Sequence, residues 1–111
     1  MIWGSQYDAM LNFALTGNDK SKVTSTEYGI YTEPVLKTGL TRTSDKINNI
    51  YDLGGNLEEW TSEAYKNDFA GRAVRGGDYV YGFSESATRR RIGYPTVSDT
   101  RYSLRSSLYV K

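Results

Sequence analysis

The clearest hydrophobic periodicity in the chain lies near its N-terminus. Apolar side chains recur there every three or four residues, which is the spacing of one helix face, over residues 5–16. Ser5 is a residue type that caps helix starts, Asp8 follows in the capping-box position, and Gly17 suits the left-handed turn that ends a helix. The pattern predicts an amphipathic helix that lies on a sheet. The face expected to be buried comprises Tyr7, Met10, Leu11, Ala14 and Leu15.

The other predicted elements are short strands separated by polar segments. Residues 18–45 are polar and punctuated by glycine and proline, which indicates long loops with at most one short strand at 28–32. Strands are predicted over residues 57–62, with Trp60 buried in the same core as the helix, and over residues 72–76, ending in a bend or bulge at Gly76 and Gly77. A longer alternating strand is predicted over residues 102–110. One helix with several short strands indicates an α+β domain.

Composition limits the chemistry that this domain can perform. A chain of 111 residues is expected to form one domain, and its abrupt start in a helix also suits the C-terminal part of a longer protein. Leu, Ile, Val and Phe supply only 22 residues, whereas Tyr, Trp and Phe supply 15, so we expect a small aromatic-rich core. The chain has no Cys and no His, which excludes disulfides, thiolate or imidazole metal ligands and thiol or imidazole catalysis.

Charge and hydropathy argue against two classes of partner. No apolar run approaches the roughly 18 residues of a membrane span, so no membrane insertion is expected. Residues 1–66 carry a net charge of −3 and residues 67–111 a net charge of +4. This excess is modest, and the only lysine after Lys66 is Lys111. A nucleic-acid partner is therefore not expected.

The acidic residues at and after the Gly-rich turn allow two interpretations, a calcium site and a plain turn. Glu58 and Glu59 are consecutive in a predicted strand and point to opposite faces, so they cannot converge on a glycosidic bond. We expect Glu58 to be solvated and Glu59 to accept buried hydrogen bonds or bind an ion. The Gly-rich turn before them combines two carboxylates with two carbonyls, a donor set that suits calcium, although the same residues suit a plain turn. The calcium candidates are Asp52, Gly55, Leu57 and Glu59.

Two further segments carry candidate binding chemistry. Arg89, Arg90 and Arg91 are adjacent, and we expect one of them to pair with a buried carboxylate. The segment 78–102 mixes tyrosine, serine, glycine and arginine, as antibody recognition loops do. Its aromatic side chains either form an exposed recognition surface or pack into the domain's own core. They are Tyr79, Tyr81, Phe83, Tyr94 and Tyr102.

An ordered set of motifs resembles the formylglycine-generating-enzyme and sulfatase-modifying-factor family. The set comprises the helix entry Ser-Gln-Tyr-Asp-Ala at 5–9, the run Asn-Ile-Tyr-Asp-Leu-Gly-Gly-Asn-Leu-Glu-Glu-Trp-Thr-Ser at 49–62, Arg-Ala-Val-Arg-Gly-Gly at 72–77, then Arg90, Pro95 and Ser-Leu-Arg at 103–105. Ser103 stands where the family usually has Gly, and Asp78-Tyr79 where it usually has Ser-Trp. The resemblance implies a C-type-lectin-like fold with short twisted antiparallel strands, and calcium binding through the positions matching Asp52, Gly55, Leu57 and Glu59. The family's copper and iron chemistry needs Cys or His, so this chain is expected not to be an enzyme.

The chain is most similar to a noncatalytic branch of this fold, the variable proteins of diversity-generating retroelements. The resemblance implies one domain over residues 1–111 with a diversified ligand-binding region over 78–102, and a protein or glycan partner on a cell or virion surface. It implies an extracellular or virion-surface location and leaves the oligomeric state open. The alternatives are a structural or regulatory domain derived from the enzyme family, and a calcium-dependent glycan-binding lectin. Calcium is the only cofactor suggested. The candidate variable positions are Asp78, Tyr79, Tyr81, Gly82, Phe83, Arg91, Ile92, Tyr94, Val97, Asp99, Arg101 and Tyr102, and the expected scaffold includes Arg75, Gly76, Gly77, Pro95, Thr96, Arg105, Leu108, Tyr109 and Val110.

Overall fold

The computed structural model describes residues 1–16, 23–25, 35, 37, 46–80 and 86–106, which form one helix and two small sheets. This arrangement confirms the predicted α+β class. The expected loops and short strand within 18–45 lie largely outside the described residues. The elements are α1 (Gly4–Leu15), β1 (Lys46–Ile47), β2 (Ile50–Tyr51), β3 (Glu58–Tyr65), β4 (Asp68–Arg75), β5 (Arg90–Gly93) and β6 (Tyr102–Leu104).

The helix is where the periodicity places it, but its N-terminal cap is different. Trp3 is the N-cap, and its backbone N–H donates to Oε1 of Gln6 at 2.8 Å. Ser5 is therefore inside the helix, and the predicted Ser5 cap with Asp8 in the capping box is wrong. Gln6, which is three residues after the true N-cap, makes the reciprocal bond that a capping box requires. Asp8 instead reaches Arg75 on the sheet.

The predicted helix face forms the main core. Tyr7, Leu11 and Ala14 are buried, and Met10 and Leu15 are partly buried against them, which confirms the expected amphipathic helix. The other members of this core are spread along the described part of the chain. They are Ile2, Val23, Ile47, Leu53 and Ala87.

The larger sheet has the strand order β5-β4-β3-β6. β3 pairs antiparallel with β4, and β4 pairs antiparallel with β5, whereas β6 runs parallel to β3. The expectation of antiparallel strands is therefore wrong for β6. The reason is topological, because β5 and β6 lie on opposite edges and point the same way, so residues 94–101 must cross over the sheet between them. β6 is also shorter than predicted, with Arg105 and Ser106 outside it and residues 107–110 beyond the described residues.

Alternation along β3 divides its side chains between two faces. Glu59 pairs in register with Arg75, whose guanidinium carbon lies 4.9 Å from the centre of the Tyr7 ring, so this face meets the helix. Trp60 pairs in register with Val74 and points the other way. Trp60 is half-buried, and the expectation that it shares one core with the helix is wrong. The strand was predicted correctly, but only the docking of the helix decides which of its faces becomes the core.

The glycine pair after β4 forms the predicted bend. Gly76 has a φ of +90° and Gly77 a φ of +71°, values that strain most other residues. A Cβ atom on Gly76 would also lie 3.0 Å from the Tyr7 hydroxyl and 3.1 Å from the Leu53 carbonyl oxygen. The bend therefore brings the end of β4 against the centre of the core.

Candidate functional site

The sheet face opposite the helix carries an aromatic pair. The rings of Trp60 on β3 and Tyr102 on β6 lie 4.8 Å apart between centroids, at an angle of 64°. Gly93 on β5 makes room for the indole, because a Cβ atom there would lie 2.7 Å from Cη2 of Trp60. The edge-to-face geometry is one that aromatic pairs prefer. We call this surface the Trp60 face, and it comprises Trp60, Arg72, Arg91, Tyr94, Pro95, Val97, Tyr102 and Leu104.

A groove runs beside the indole of Trp60. It has a volume of about 290 Å³ and is lined by Met1, Trp60, Arg72, Pro95 and Val97. Residues 94–101, which cross the sheet between β5 and β6, are called the crossing segment. They form the wall of the groove through a tight turn, in which the Val97 N–H donates to the Tyr94 carbonyl at 2.9 Å. The apolar side chains on this face are unusually open to solvent, with exposures of 42% for Tyr94, 54% for Val97 and 67% for Leu104.

Ion pairs hold the crossing segment in place. Arg101 donates from Nε to both carboxylate oxygens of Asp99, at 2.9 and 3.1 Å, and its Nη1 lies 3.7 Å from Oδ2 of the buried Asp78. The hydrogen bond from Arg101 lowers the pKa of Asp99 to about 2. The backbone N–H of Glu58 donates to the Arg101 carbonyl at 2.9 Å. The return of the chain into β6 is thus built from charged groups rather than from apolar packing.

The adjacent arginines pair with carboxylates on both faces of the sheet. Nη2 of Arg91 lies 3.1 Å from Oε2 of Glu58, whose side chain is fully buried, and Nη2 of Arg90 lies 2.7 Å from Oε1 of Glu63. This confirms that one of the three arginines pairs with a buried carboxylate. The expectation of a solvated Glu58 is wrong, because its side chain is fully buried and paired with Arg91. Glu58 and Glu59 point to opposite faces, as predicted.

At the outer edge of the Trp60 face, Tyr94 donates from its hydroxyl to Oδ2 of Asp68 at 2.9 Å. That hydrogen bond lowers the pKa of Asp68 and raises the pKa of Tyr94. Asp68 also accepts the backbone N–H groups of Ala70 and Gly71 on Oδ1. The Asp68 carboxylate is therefore already hydrogen-bonded at the start of β4.

The candidate variable positions fall into distinct groups. Arg91, Tyr94, Val97 and Tyr102 lie together on the Trp60 face, and Asp99 and Arg101 support it from the crossing segment. Ile92 points to the helix side, where a Cβ atom on Gly71 would lie 2.6 Å from its Cδ1. Asp78 is fully buried and Tyr79 half-buried. Tyr81, Gly82 and Phe83 lie outside the described residues.

Sequence reasoning missed two contributors to the groove, Met1 and Arg72, and assigned two others to different roles. Arg72 belonged to no candidate set, Pro95 was assigned to the scaffold and Trp60 to the core. The alternation of residues 58–62 and 72–76 contained part of the signal, because Arg72 and Trp60 fall on the same face once the register of β3 and β4 is known. The register itself is a property of the folded sheet.

A second, polar pocket lies where β6 meets the turn before β3. It has a volume of about 370 Å³, and its lining includes Asp52, Leu57 and Glu59, three of the four calcium candidates. Gly55, the fourth, has a φ of +71° and its N–H donates to the Gly76 carbonyl at 2.8 Å. Arg105 also lines this pocket.

The guanidinium of Arg105 is hydrogen-bonded to the Glu59 carboxylate, which a calcium ion at this turn would also need as a ligand. Its Nε donates to Oε2 of Glu59 at 2.7 Å, and its Nη2 donates to the carbonyls of Tyr51 and Asp52 at 3.1 and 3.3 Å. Burial raises the pKa of Glu59, and the hydrogen bond from Arg105 offsets part of that rise. Burial alone would lower the pKa of Arg105, but the hydrogen bond to Glu59 and the nearby negative charges together outweigh it, so this pKa is raised.

In this arrangement a calcium ion would compete with Arg105 for Glu59, one of the two candidate carboxylates. Calcium takes six to eight oxygen ligands, and Arg105 already engages the Glu59 carboxylate, although the carbonyls it contacts are those of Tyr51 and Asp52 rather than those of Gly55 and Leu57. Arg105 supplies the positive charge that balances Glu59.

We therefore expect calcium to leave the stability of this protein unchanged. Chelator-stripped protein should give the same melting temperature, Tm, in millimolar calcium and in chelator, because a ligand stabilises only the state that binds it. Asp52→Ala should lower Tm equally in both buffers. A calcium-dependent rise in Tm that Asp52→Ala abolishes would contradict this expectation and support a calcium site formed by Asp52, Gly55, Leu57 and Glu59.

Comparison of this chain with models of protein families, with curated proteins and with solved structures finds no match. Among the described residues, no helix has both the length and the apolar character needed to cross a membrane.

Proposed function

We propose that this chain is a noncatalytic ligand-binding domain with a C-type-lectin-like fold, whose recognition surface is the Trp60 face. The observation that supports it is an aromatic pair beside a groove, surrounded by apolar side chains that remain open to solvent. Large exposed apolar surface is typical of interaction sites. Binding would rest on ring burial and on tyrosine hydroxyl hydrogen bonds, with no covalent step. The ligand is a protein or glycan on a cell or virion surface.

The likeness to retroelement variable proteins is supported by some members of the two residue sets, but not by the buried variable candidate Asp78 or by the exposed scaffold residues Pro95 and Thr96. Gly76 and Gly77 are buried at positive φ, and Arg105 pairs with Glu59, so these expected scaffold residues stabilise the fold. Tyr94 and Val97, which are expected to vary, are exposed. A diversified binding surface requires this separation, because substitutions in it must not unfold the domain.

Arg91 is a candidate variable position with a structural contact. It pairs with the fully buried Glu58, so its replacement removes a charge that balances a desolvated carboxylate. The proposal therefore rests on Tyr94, Val97 and Tyr102. We assign Arg91 to both roles, because its side chain is half-exposed on the same face.

Two matched libraries test the proposed separation without knowledge of the ligand. One library randomises Tyr94, Val97 and Tyr102, and the other randomises Gly76, Gly77 and Arg105. The displayed variants are sorted by resistance to protease. We expect most members of the first library and few members of the second to remain folded. Equal tolerance in the two libraries, or lower tolerance in the first, would contradict a diversified surface and favour a structural or regulatory domain.

A further inference from the structure

We infer that the groove beside Trp60 binds an acidic protein segment, with one apolar side chain in the groove and a neighbouring carboxylate at Arg72. The inference rests on the proposed function and narrows its partner from protein or glycan to protein. Three properties of the groove support it: its charge, its lining and its size.

The charge of the groove comes from Arg72. Its Nη1 donates to the backbone carbonyls of Phe69 at 2.8 Å and Gly71 at 3.2 Å, and no carboxylate in the described part of the chain forms an ion pair with it. Two neighbouring arginines have acidic partners, since Arg91 pairs with Glu58 and Arg101 with Asp99. Carbonyls hold the Arg72 guanidinium in place without cancelling its charge. A carboxylate is the partner that completes a guanidinium's hydrogen bonding.

The lining of the groove disfavours a sugar. Apart from Arg72, the side chains that line it belong to Met1, Trp60, Pro95 and Val97. The indole N–H of Trp60 is the only conventional hydrogen-bonding group among these four side chains. A sugar ring placed there would lose water from several hydroxyls without gaining partners, at a cost of about 1 to 3 kcal/mol for each. An apolar side chain gains from the same desolvation.

The size of the groove matches one side chain. Its volume of about 290 Å³ is at or below the small end of the roughly 300 to 1,000 Å³ of pockets that hold drug-sized ligands. An aromatic or aliphatic anchor with an adjacent acidic residue would place the apolar group against Trp60 and the carboxylate near Arg72. Aromatic and apolar anchors that fill such pockets dominate many protein interfaces.

The test uses small peptides and sugars as defined probes. The Trp60 indole N–H is followed by NMR in 15N-labelled protein carrying Trp3→Phe, which leaves one indole signal. The probes are acetyl-Phe-Asp-amide, its uncharged match acetyl-Phe-Asn-amide, methyl glucoside and the methyl glycoside of N-acetylneuraminic acid. We expect saturable shifts with both peptides, about threefold to tenfold tighter binding of the Asp peptide, and no shift with either sugar.

Two variants with the same change in net charge separate a local contact from general attraction. Arg72→Gln should abolish the preference for Asp over Asn. Arg89→Gln removes an exposed charge outside the groove and should preserve the preference. Equal affinities for the two peptides in the parent protein would overturn the role of Arg72.

Shifts of the Trp60 signal by a sugar but not by the peptides would overturn the inference in favour of a glycan. The absence of a shift with any probe would overturn it as well. Neither result affects the outcome expected from the two matched libraries, so failure of this inference is distinguishable from failure of the proposed function.

Discussion

Replacing Tyr7 with Ala is expected to lower the free energy of unfolding by about 3 to 5 kcal/mol, a large part of the stability of a small domain. Tyr7 is fully buried, and its hydroxyl lies 3.0 Å from the Leu53 carbonyl oxygen and 3.1 Å from that of Ala87. The side chain thus links the helix to two segments that follow it by 46 and 80 residues. Its removal creates a cavity and leaves both carbonyls without this donor. Equilibrium denaturation in urea measures the loss.

Tyr7→Phe is the matched control for the hydroxyl. It retains the ring and should cost about 1 to 3 kcal/mol, which is the range for removing one partner of a buried hydrogen bond. The difference between the two variants then reports the packing of the ring. A loss below about 1 kcal/mol for Tyr7→Ala would mean that the core is not centred on this residue.

Arg105→Ala is expected to cost about 3 kcal/mol at neutral pH, because it leaves the buried Glu59 carboxylate without the cation that balances it. Arg105 donates to both oxygens of this carboxylate and to two carbonyls of the turn before β3. The double variant Arg105→Ala/Glu59→Gln is the control, and it should recover much of the loss. Additive effects of the two substitutions would contradict a coupled pair.

The cost of Arg105→Ala should also depend on pH. Burial raises the pKa of Glu59 above 4.5 in the folded protein, so the folded state binds the proton more tightly than the unfolded state. Stability from this group is therefore greatest below the unfolded pKa and is lost as pH rises through the folded pKa. Without Arg105 the pKa of Glu59 rises further, and the loss becomes larger and extends to higher pH. An equal loss of unfolding free energy in Arg105→Ala at pH 4 and at pH 7 would contradict this explanation.

Local patterns predicted the helix and three of the six described strands, β3, β4 and β6, because helix and strand periodicity can be recognised from neighbouring residues. The buried Tyr7 and Leu11 follow from their spacing alone. The cap at Trp3 does not, since its bond to Gln6 starts from a backbone N–H that every residue except proline possesses. The parallel pairing of β6 depends on a chain crossing that no local pattern encodes.

Both candidate sites depend on residues that are distant in sequence. The calcium interpretation used residues 52–59 alone, whereas the cation that reaches Glu59 is 46 residues away at Arg105. The groove likewise combines Trp60 and Arg72 with the turn at 94–97. Composition indicated the candidate recognition segment, but which of its side chains share a face follows from the register of the sheet.

The most direct test of a diversified binding surface is to sequence the DNA around the coding region, together with many copies of that region from one growing population. If the binding surface is diversified, we expect a neighbouring reverse transcriptase gene and a near-copy of the 3′ end of the coding region. Differences should fall at adenines, in the codons for Tyr94, Val97 and Tyr102 but not in those for Gly76, Gly77 and Arg105. A coding region with neither neighbour, and with differences spread evenly over both sets of codons, would contradict it.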